Sequence, residues 1–248
     1  MARAAVSRRL TWRAATVDGV VRETSTARTL RLRVPGWDGH LPGQHLDVRL
    51  TAEDGYSAQR SYSIASAWAG DDDTVDVTVQ RLEDGEVSPY LTDEVREGDL
   101  IEVRGPIGGW FVWRETQPAP VLLIAGGSGV VPLMAMIRER RRVNGRQPFR
   151  LIYSVRTPAD VIYAEELAGH HRTDPGLDVR LVYTRETPQG WPAPPKRIDV
   201  ATLNTYGWPP GFQPDVFVCG PNAFVETAAD ILIALGHDSK KIRTERFG

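Results

Sequence analysis

The five residues Val121-Leu122-Leu123-Ile124-Ala125 restrict the possible folds of this chain more than any other stretch. A run without a polar residue cannot alternate between core and solvent. It belongs where both faces are covered, as in the interior of a parallel sheet. The run leads straight into Gly126-Gly127-Ser128-Gly129-Val130-Val131-Pro132-Leu133-Met134, a glycine turn opening a helix. A strand followed by a glycine loop and a helix start offers free backbone amides, which suit a phosphate. The spacing is not G-x-G-x-x-G, so the standard dinucleotide fingerprint does not apply. The helix is expected to end in Arg138-Glu139-Arg140-Arg141-Arg142 and to stop near Asn144-Gly145, with basic residues suited to its negative end.

The same alternation continues to the end of the chain. Residues 149–155 are expected to form a second strand, followed by a helix from near Pro158 through Leu167. A third strand covers 177–184 and ends at Arg185. A fourth, 215–219, runs into Gly220-Pro221-Asn222 and a helix through Leu235, and 242–247 is the last strand. Strands alternating with helices predict an α/β unit with a parallel sheet. Ligands in such sheets sit beyond the carboxyl ends of the strands, which here are Gly126, Ser154, Thr184, Cys219 and Phe247.

The preceding part reads differently. Residues 29–34, 45–50 and 74–80 alternate with period two, and 99–104 nearly so. Between them lie turn residues such as Pro35-Gly36, Pro42-Gly43, Asp54-Gly55 and Gly70-Asp71. Many short strands at this spacing predict a small antiparallel barrel of Greek-key type. Gln117-Pro118-Ala119-Pro120 reads as the linker, dividing the chain into residues 1–116 and 117–248. The net charge is −5 through Glu115 and +3 from Thr116 onward, so the second unit is the better surface for a phosphate.

Within the first unit, Arg60-Ser61-Tyr62-Ser63 places a cation and an aromatic ring on one side of a strand and hydroxyls on the other. Arg can pair with a diphosphate, Tyr can lie against a flat ring and Ser can hydrogen-bond a ring nitrogen. Taken alone, the four residues read first as an ordinary edge strand with an exposed Arg and a half-buried Tyr. Gly85-Glu86-Val87-Ser88 precedes a short helix expected from Pro89 to Val95, whose start could hold phosphate or simply be a capped surface turn.

The only cysteine, Cys219, excludes an internal disulfide and any iron–sulfur or zinc site built from several Cys. Five scattered histidines (His40, His45, His170, His171, His237) show no metal-ligand spacing, so no metal is expected. No apolar run approaches the roughly 18 residues of a membrane span. The basic residues 1–9 have no apolar segment behind them, so no secretory signal is expected and a cytoplasmic location is. Nothing points to nucleic acid.

In order, Pro42-Gly43-Gln44, Arg60-x-Tyr62-Ser63, Gly85-x-Val87-Ser88, Gly105-Pro106, Gly126-Gly127-Ser128-Gly129, Cys219-Gly220-Pro221 and Glu245-x-Phe247 resemble the ferredoxin–NADP reductase superfamily from about Thr16 to Gly248. The resemblance implies FAD, rather than FMN, bound by Arg60, Ser61, Tyr62, Ser63, Val77, Val79, Gly85, Val87 and Ser88, with Phe247 over the flavin. It implies a nicotinamide nucleotide at Gly127, Ser128, Gly129, Val130, Cys219, Gly220 and Pro221, with Ser63, Cys219 and Glu245 around hydride transfer. The family's plant members end on Tyr; here Phe247 is followed by Gly248. Cys219 equally fits a buried small apolar residue.

The resemblance also places the adenosine 2′-phosphate at the end of the third strand of this unit. Thr184 and Arg185 there, with Arg156 after the second strand, suit a phosphate better than a free ribose, so NADP(H) is expected over NAD(H). With no cluster ligands in the sequence, electrons would leave to a separate acceptor, a ferredoxin serving an oxygenase. Two alternatives are a reductase of free flavin or ferric chelates, and a non-catalytic binding subunit.

Overall fold

A computed structural model describes residues 10–70 and 73–247, without the side chains of residues 170–172. Expectations touching residues 1–9, Asp71, Asp72, the side chains of His170 and His171, and Gly248 lie outside the described residues.

Six antiparallel strands come first: β1 (Arg13–Arg22), β2 (Ala27–Arg33), β3 (His45–Thr51), β4 (Ser57–Ser63), β5 (Thr74–Gln80) and β6 (Leu100–Ile107). Their order is β4-β3-β6-β1-β2-β5. An antiparallel bridge between Ile64 and Val77 joins the two outer strands and closes the sheet into a barrel. Closure removes the free edges that would otherwise invite pairing with other chains. Alternation decides which residues fill the interior: Leu30, Leu32, Leu46, Val48, Val75, Val77, Val79 and Val103 are wholly buried there. The short helix expected after Ser88 is a single wide turn, Tyr90–Glu94, in which Leu91 is buried.

Five parallel strands follow: β7 (Val121–Gly126), β8 (Phe149–Val155), β9 (Leu177–Tyr183), β10 (Asp215–Pro221) and β11 (Ile242–Phe247). They lie in the order β11-β10-β7-β8-β9. The run that admits no solvent face is the central strand, and every residue of β7 is buried. Leu123 and Ala125 face one apolar cluster and Leu122 and Ile124 the other. Four helices cover the two faces: α1 (Val130–Arg142), α2 (Ala164–Thr173), α3 (Val200–Tyr206) and α4 (Asn222–Ala234). Asp199, whose side chain accepts from the Thr202 amide at 2.7 Å, caps α3, an element the sequence pattern did not announce.

The helix expected from Pro158 to Leu167 is interrupted. A one-turn 3-10 segment, Pro158–Asp160, is set by the reciprocal Thr157–Asp160 capping box. The chain then extends through buried Val161 and Ile162, and α2 begins only after Tyr163, whose φ is +61°. A left-handed tyrosine costs on the order of 1 kcal/mol. Tertiary contacts hold it there, and local pattern cannot reveal them.

The two units pack against each other. The Pro42-Gly43 turn of the barrel lies against the second unit: a Cβ on Gly43 would stand 2.8 Å from Met136 of α1, and would also collide with the Phe111 carbonyl oxygen of its own unit. Phe111 in turn meets Phe217 of β10 edge to face at 5.4 Å. Among the described residues, no helix is long and apolar enough to cross a membrane. No group of three or more His, Cys, Asp or Glu among them could hold a metal ion.

Candidate active site

The parallel register places the second unit's candidate residues in one row. Gly126 pairs with Ser154, Val155 with Tyr183, Ala125 with Cys219, Cys219 with Glu245 and Pro221 with Phe247. Thr184-Arg185, Arg156, the glycine loop, Gly220-Pro221 and Phe247 therefore follow one another along the carboxyl edge of the sheet. The Arg185 and Glu186 amides donate to the Arg156 carbonyl at 2.9 and 3.2 Å, fixing the two arginine-bearing loops side by side. Arg156 and Arg185 are exposed, and neither has an ion-pair partner among the described residues.

The glycine loop is a tight fit. Gly127 takes φ +56°, and Gly129 lies so close to β10 that a Cβ would collide with the Cys219 carbonyl oxygen. Only glycine permits that approach. Ser128 belongs with them to a 3-10 turn that passes directly into α1 at Val130. The loop also faces the barrel: Gln80 Oε1, at the end of β5, lies 4.0 Å from where a Cβ on Gly127 would stand.

Glu245 is chemically distinctive. Its Oε2 is buried with no hydrogen-bond partner among the described residues, and burial pushes its pKa up to about 7. Beside it Cys219 is wholly buried, and desolvation, reinforced by Glu245, holds its thiol well above the usual range. Cys219 is a neutral thiol at physiological pH, not a thiolate nucleophile.

On the barrel, Arg60 and Tyr62 share one face of β4. Arg60 is exposed, and its guanidinium donates to Glu86 Oε2 at 2.7 Å, while Tyr56 donates to the other carboxylate oxygen at 2.6 Å. Those two hydrogen bonds, the one from Tyr56 first, hold the Glu86 carboxyl below its ordinary pKa. Tyr62 is half-buried against the barrel core, and burial raises its phenol to about 12. On the opposite face Ser61 donates to Asp47 at 2.7 Å, and Asp47 also receives Arg104 at 2.6 Å. Ser61 thus points away from Arg60 and Tyr62, toward a barrel ion pair. Ser63 pairs across the strands with His45, whose imidazole is held below its ordinary pKa by burial.

Ser88 is buried, and its hydroxyl accepts from the Leu82 amide at 3.0 Å, closing the turn that Gly85 permits. Val77, Val79 and Val87 are wholly buried in the barrel core, so any contact they offer a ligand runs through main chain. Sequence reading missed His45, Gln80 and Glu86. Strand register and turn closure bring them beside the motif residues; Glu86 lies inside the Gly85–Ser88 motif but at its unassigned position.

The donor set fits the groups implied for it. An exposed guanidinium suits a diphosphate, a glycine cradle with no room for a Cβ suits a second one, and an unpartnered buried carboxyl oxygen marks where a polar group is to be met. Comparison with known proteins settles the family. The oxidoreductase FAD-binding domain matches residues 14–112 and the oxidoreductase NAD-binding domain matches residues 123–230. A component of the 1,2-phenylacetyl-CoA epoxidase of Escherichia coli is 31% identical over 247 residues, covering 96% of this chain and 68% of that protein. The chain belongs to the ferredoxin reductase superfamily.

A second relative within this superfamily is the ferredoxin reductase component of the 3-ketosteroid-9-alpha-monooxygenase of Mycolicibacterium smegmatis, 34% identical over 93% of this chain and 64% of its own length. The FAD/NAD-binding domain of nitric oxide dioxygenase from Vibrio cholerae superposes with a TM-score of 0.83 at 25% identity, covering 95% of this chain and 98% of that one. The chain spans 56% to 64% of the length of four further relatives.

Proposed function

We propose that the chain oxidises NADPH and passes the electrons through bound FAD to a separate one-electron acceptor, an iron–sulfur ferredoxin serving an oxygenase. The observation that carries this reading is the convergence at the carboxyl edge of the parallel sheet. The glycine loop, Cys219 and the unpartnered Glu245 lie there together, and the loop faces the barrel at the end of β5. Names of relatives that are reductase components of monooxygenases support the acceptor class. The division of labour follows residues 1–116 for flavin and 117–248 for nucleotide.

When bound, FAD supplies the step between two-electron and one-electron carriers. This chain supplies position and charge. Arg60 would neutralise the flavin diphosphate, with the amides of the Gly85–Ser88 turn beside it. Tyr62 offers a half-buried aromatic face and Ser63 a hydroxyl next to the neutral His45. Gly127, Ser128, Gly129 and Val130 would hold the nucleotide diphosphate, and Gly220-Pro221 with Cys219 would wall the nicotinamide. Burial raises the Glu245 pKa to about 7, so this carboxyl can hold a proton within the site near neutral pH. Phe247, 37% exposed at the strand end, is free to cover a flat ring. Arg156, Thr184 and Arg185 would receive the 2′-phosphate, which favours NADPH over NADH.

Anaerobic titration of the purified protein with NADH and then NADPH, with heat-released flavin identified by chromatography, tests the reading. Stoichiometric bleaching by NADPH and release of FAD are expected. A protein that neither retains added FAD nor lets either nucleotide bleach it refutes the reading.

A further inference from the structure

Tyr163 is the one non-glycine residue with positive φ that is also buried, at 3% exposure, among the described residues. It belongs to the second unit, yet its bonds run to the first. Its hydroxyl is hydrogen-bonded to Thr78 Oγ1 of β5, and its amide donates to Glu23 Oε2 at 3.3 Å. Glu23 receives the Thr29 hydroxyl at 2.6 Å, and Thr29 meets Thr78 at 2.8 Å, so the barrel side of the contact is itself tied together. Over the ring, 4.6 Å from its centroid, lies the Arg138 guanidinium from α1, the helix that the glycine loop opens. Arg138 donates to both oxygens of Glu166 at 3.1 and 2.6 Å and, across the unit boundary, to the Ala65 carbonyl at 2.8 Å.

The two barrel anchors of this network are specific. Thr78 stands between Val77 and Val79, and Ala65 is two residues after Ser63. At its other end, Tyr163 closes the segment that begins at Arg156. The Thr157–Asp160 capping box, and the Ile162 amide bonded to the Tyr153 hydroxyl at 3.3 Å, make that segment stiff. One short stretch therefore touches the nucleotide edge at one end and the flavin-facing strands at the other.

We propose that Tyr163 and Arg138 are positioning residues that set the separation between the Ser63 strand and the glycine loop. The proposal rests on the reading of these edges as flavin and nucleotide sites. Hydride transfer is steep in donor–acceptor geometry, so loosening this contact slows the transfer without removing any group that touches either cofactor.

The test uses the flavin-loaded protein as Tyr163→Phe, Thr78→Val and the double variant, with Phe149→Leu as a core substitution away from the contact that lowers melting temperature. Rapid mixing with NADPH gives the rate of flavin bleaching, titration with NADP+ gives Kd, and amide hydrogen exchange reports on residues 63–66 and 74–80. Each single variant is expected to bleach about tenfold more slowly, and the double variant no more slowly than either. Kd stays within about twofold, exchange in both barrel segments accelerates, and Phe149→Leu keeps the wild-type rate. A wild-type rate in Tyr163→Phe, or equal slowing in Phe149→Leu, overturns the proposal. Were the wild-type flavin untouched by NADPH, the proposed function would fall by itself; unchanged exchange at residues 63–66 and 74–80 in Tyr163→Phe would then separately overturn the positioning role.

Discussion

Cys219 and Glu245 are register partners across the parallel β10–β11 pair, a buried thiol beside a half-buried carboxyl whose Oε2 is buried and has no hydrogen-bond partner among the described residues. Burial disfavours ionisation of both, and the carboxyl adds to what keeps the thiol neutral.

That environment has a consequence for stability. Glu245 has a folded pKa of about 7 against an ordinary value of 4.5, so the folded chain binds more protons than the unfolded one between those pH values. The stability this group contributes is fully present below pH 4.5 and is lost as pH rises through 7. Glu245→Gln removes the slope. Chemical denaturation from pH 5 to 8 is expected to show the variant gaining on wild type by on the order of 2–3 kcal/mol across that window. A constant difference would show that Glu245 does not titrate in this range.

Gly129 has no space for a side chain, since a Cβ would meet the backbone of Cys219 and Gly220 within 2.8 Å. Because β10 cannot yield without breaking its pairing to β7 and β11, Gly129→Ala is expected to cost about 2 kcal/mol or more. Melting temperature and nucleotide affinity should fall together. Retention of both would mean that the loop has room to shift.

Exposed Arg185 bears on the choice of nucleotide. Arg185→Ala is expected to lower kcat/KM for NADPH at least tenfold more than for NADH, because a charge-assisted hydrogen bond is worth about 1.5–3 kcal/mol. Steady-state assays with both nucleotides decide it, and equal losses would move the 2′-phosphate elsewhere.

Glu86, bonded to Arg60 at 2.7 Å, would compete with a diphosphate placed against that guanidinium. Both side chains are about half exposed, so water screens the pair and the competition is weak. Glu86→Gln is therefore expected to tighten flavin binding by about two- to fivefold, measured by quenching of flavin fluorescence. Unchanged or weaker binding would show that Arg60 does not face the diphosphate.

The two-unit architecture and the positions of the motifs were legible along the chain. Alternation with period two marks half-buried strands, and a short apolar run that enters a glycine turn marks a strand covered on both faces. The glycine loop was legible for the same reason, since a strand entering glycines before a helix leaves one backbone path. Side-chain partnerships were not legible. Ser61 turning to Asp47, Glu86 on Arg60, His45 beside Ser63 and Thr78 against Tyr163 join residues 14 to 85 positions apart by register and packing. The break at Tyr163 belongs with them. Local propensity favours a helix running from Pro158, but bonds to Glu23 and Thr78 in the barrel outweigh it. How the barrel and the α/β unit are held together is a matter of packing in three dimensions, because that contact is made of single residues from distant segments, none carrying a pattern of its own.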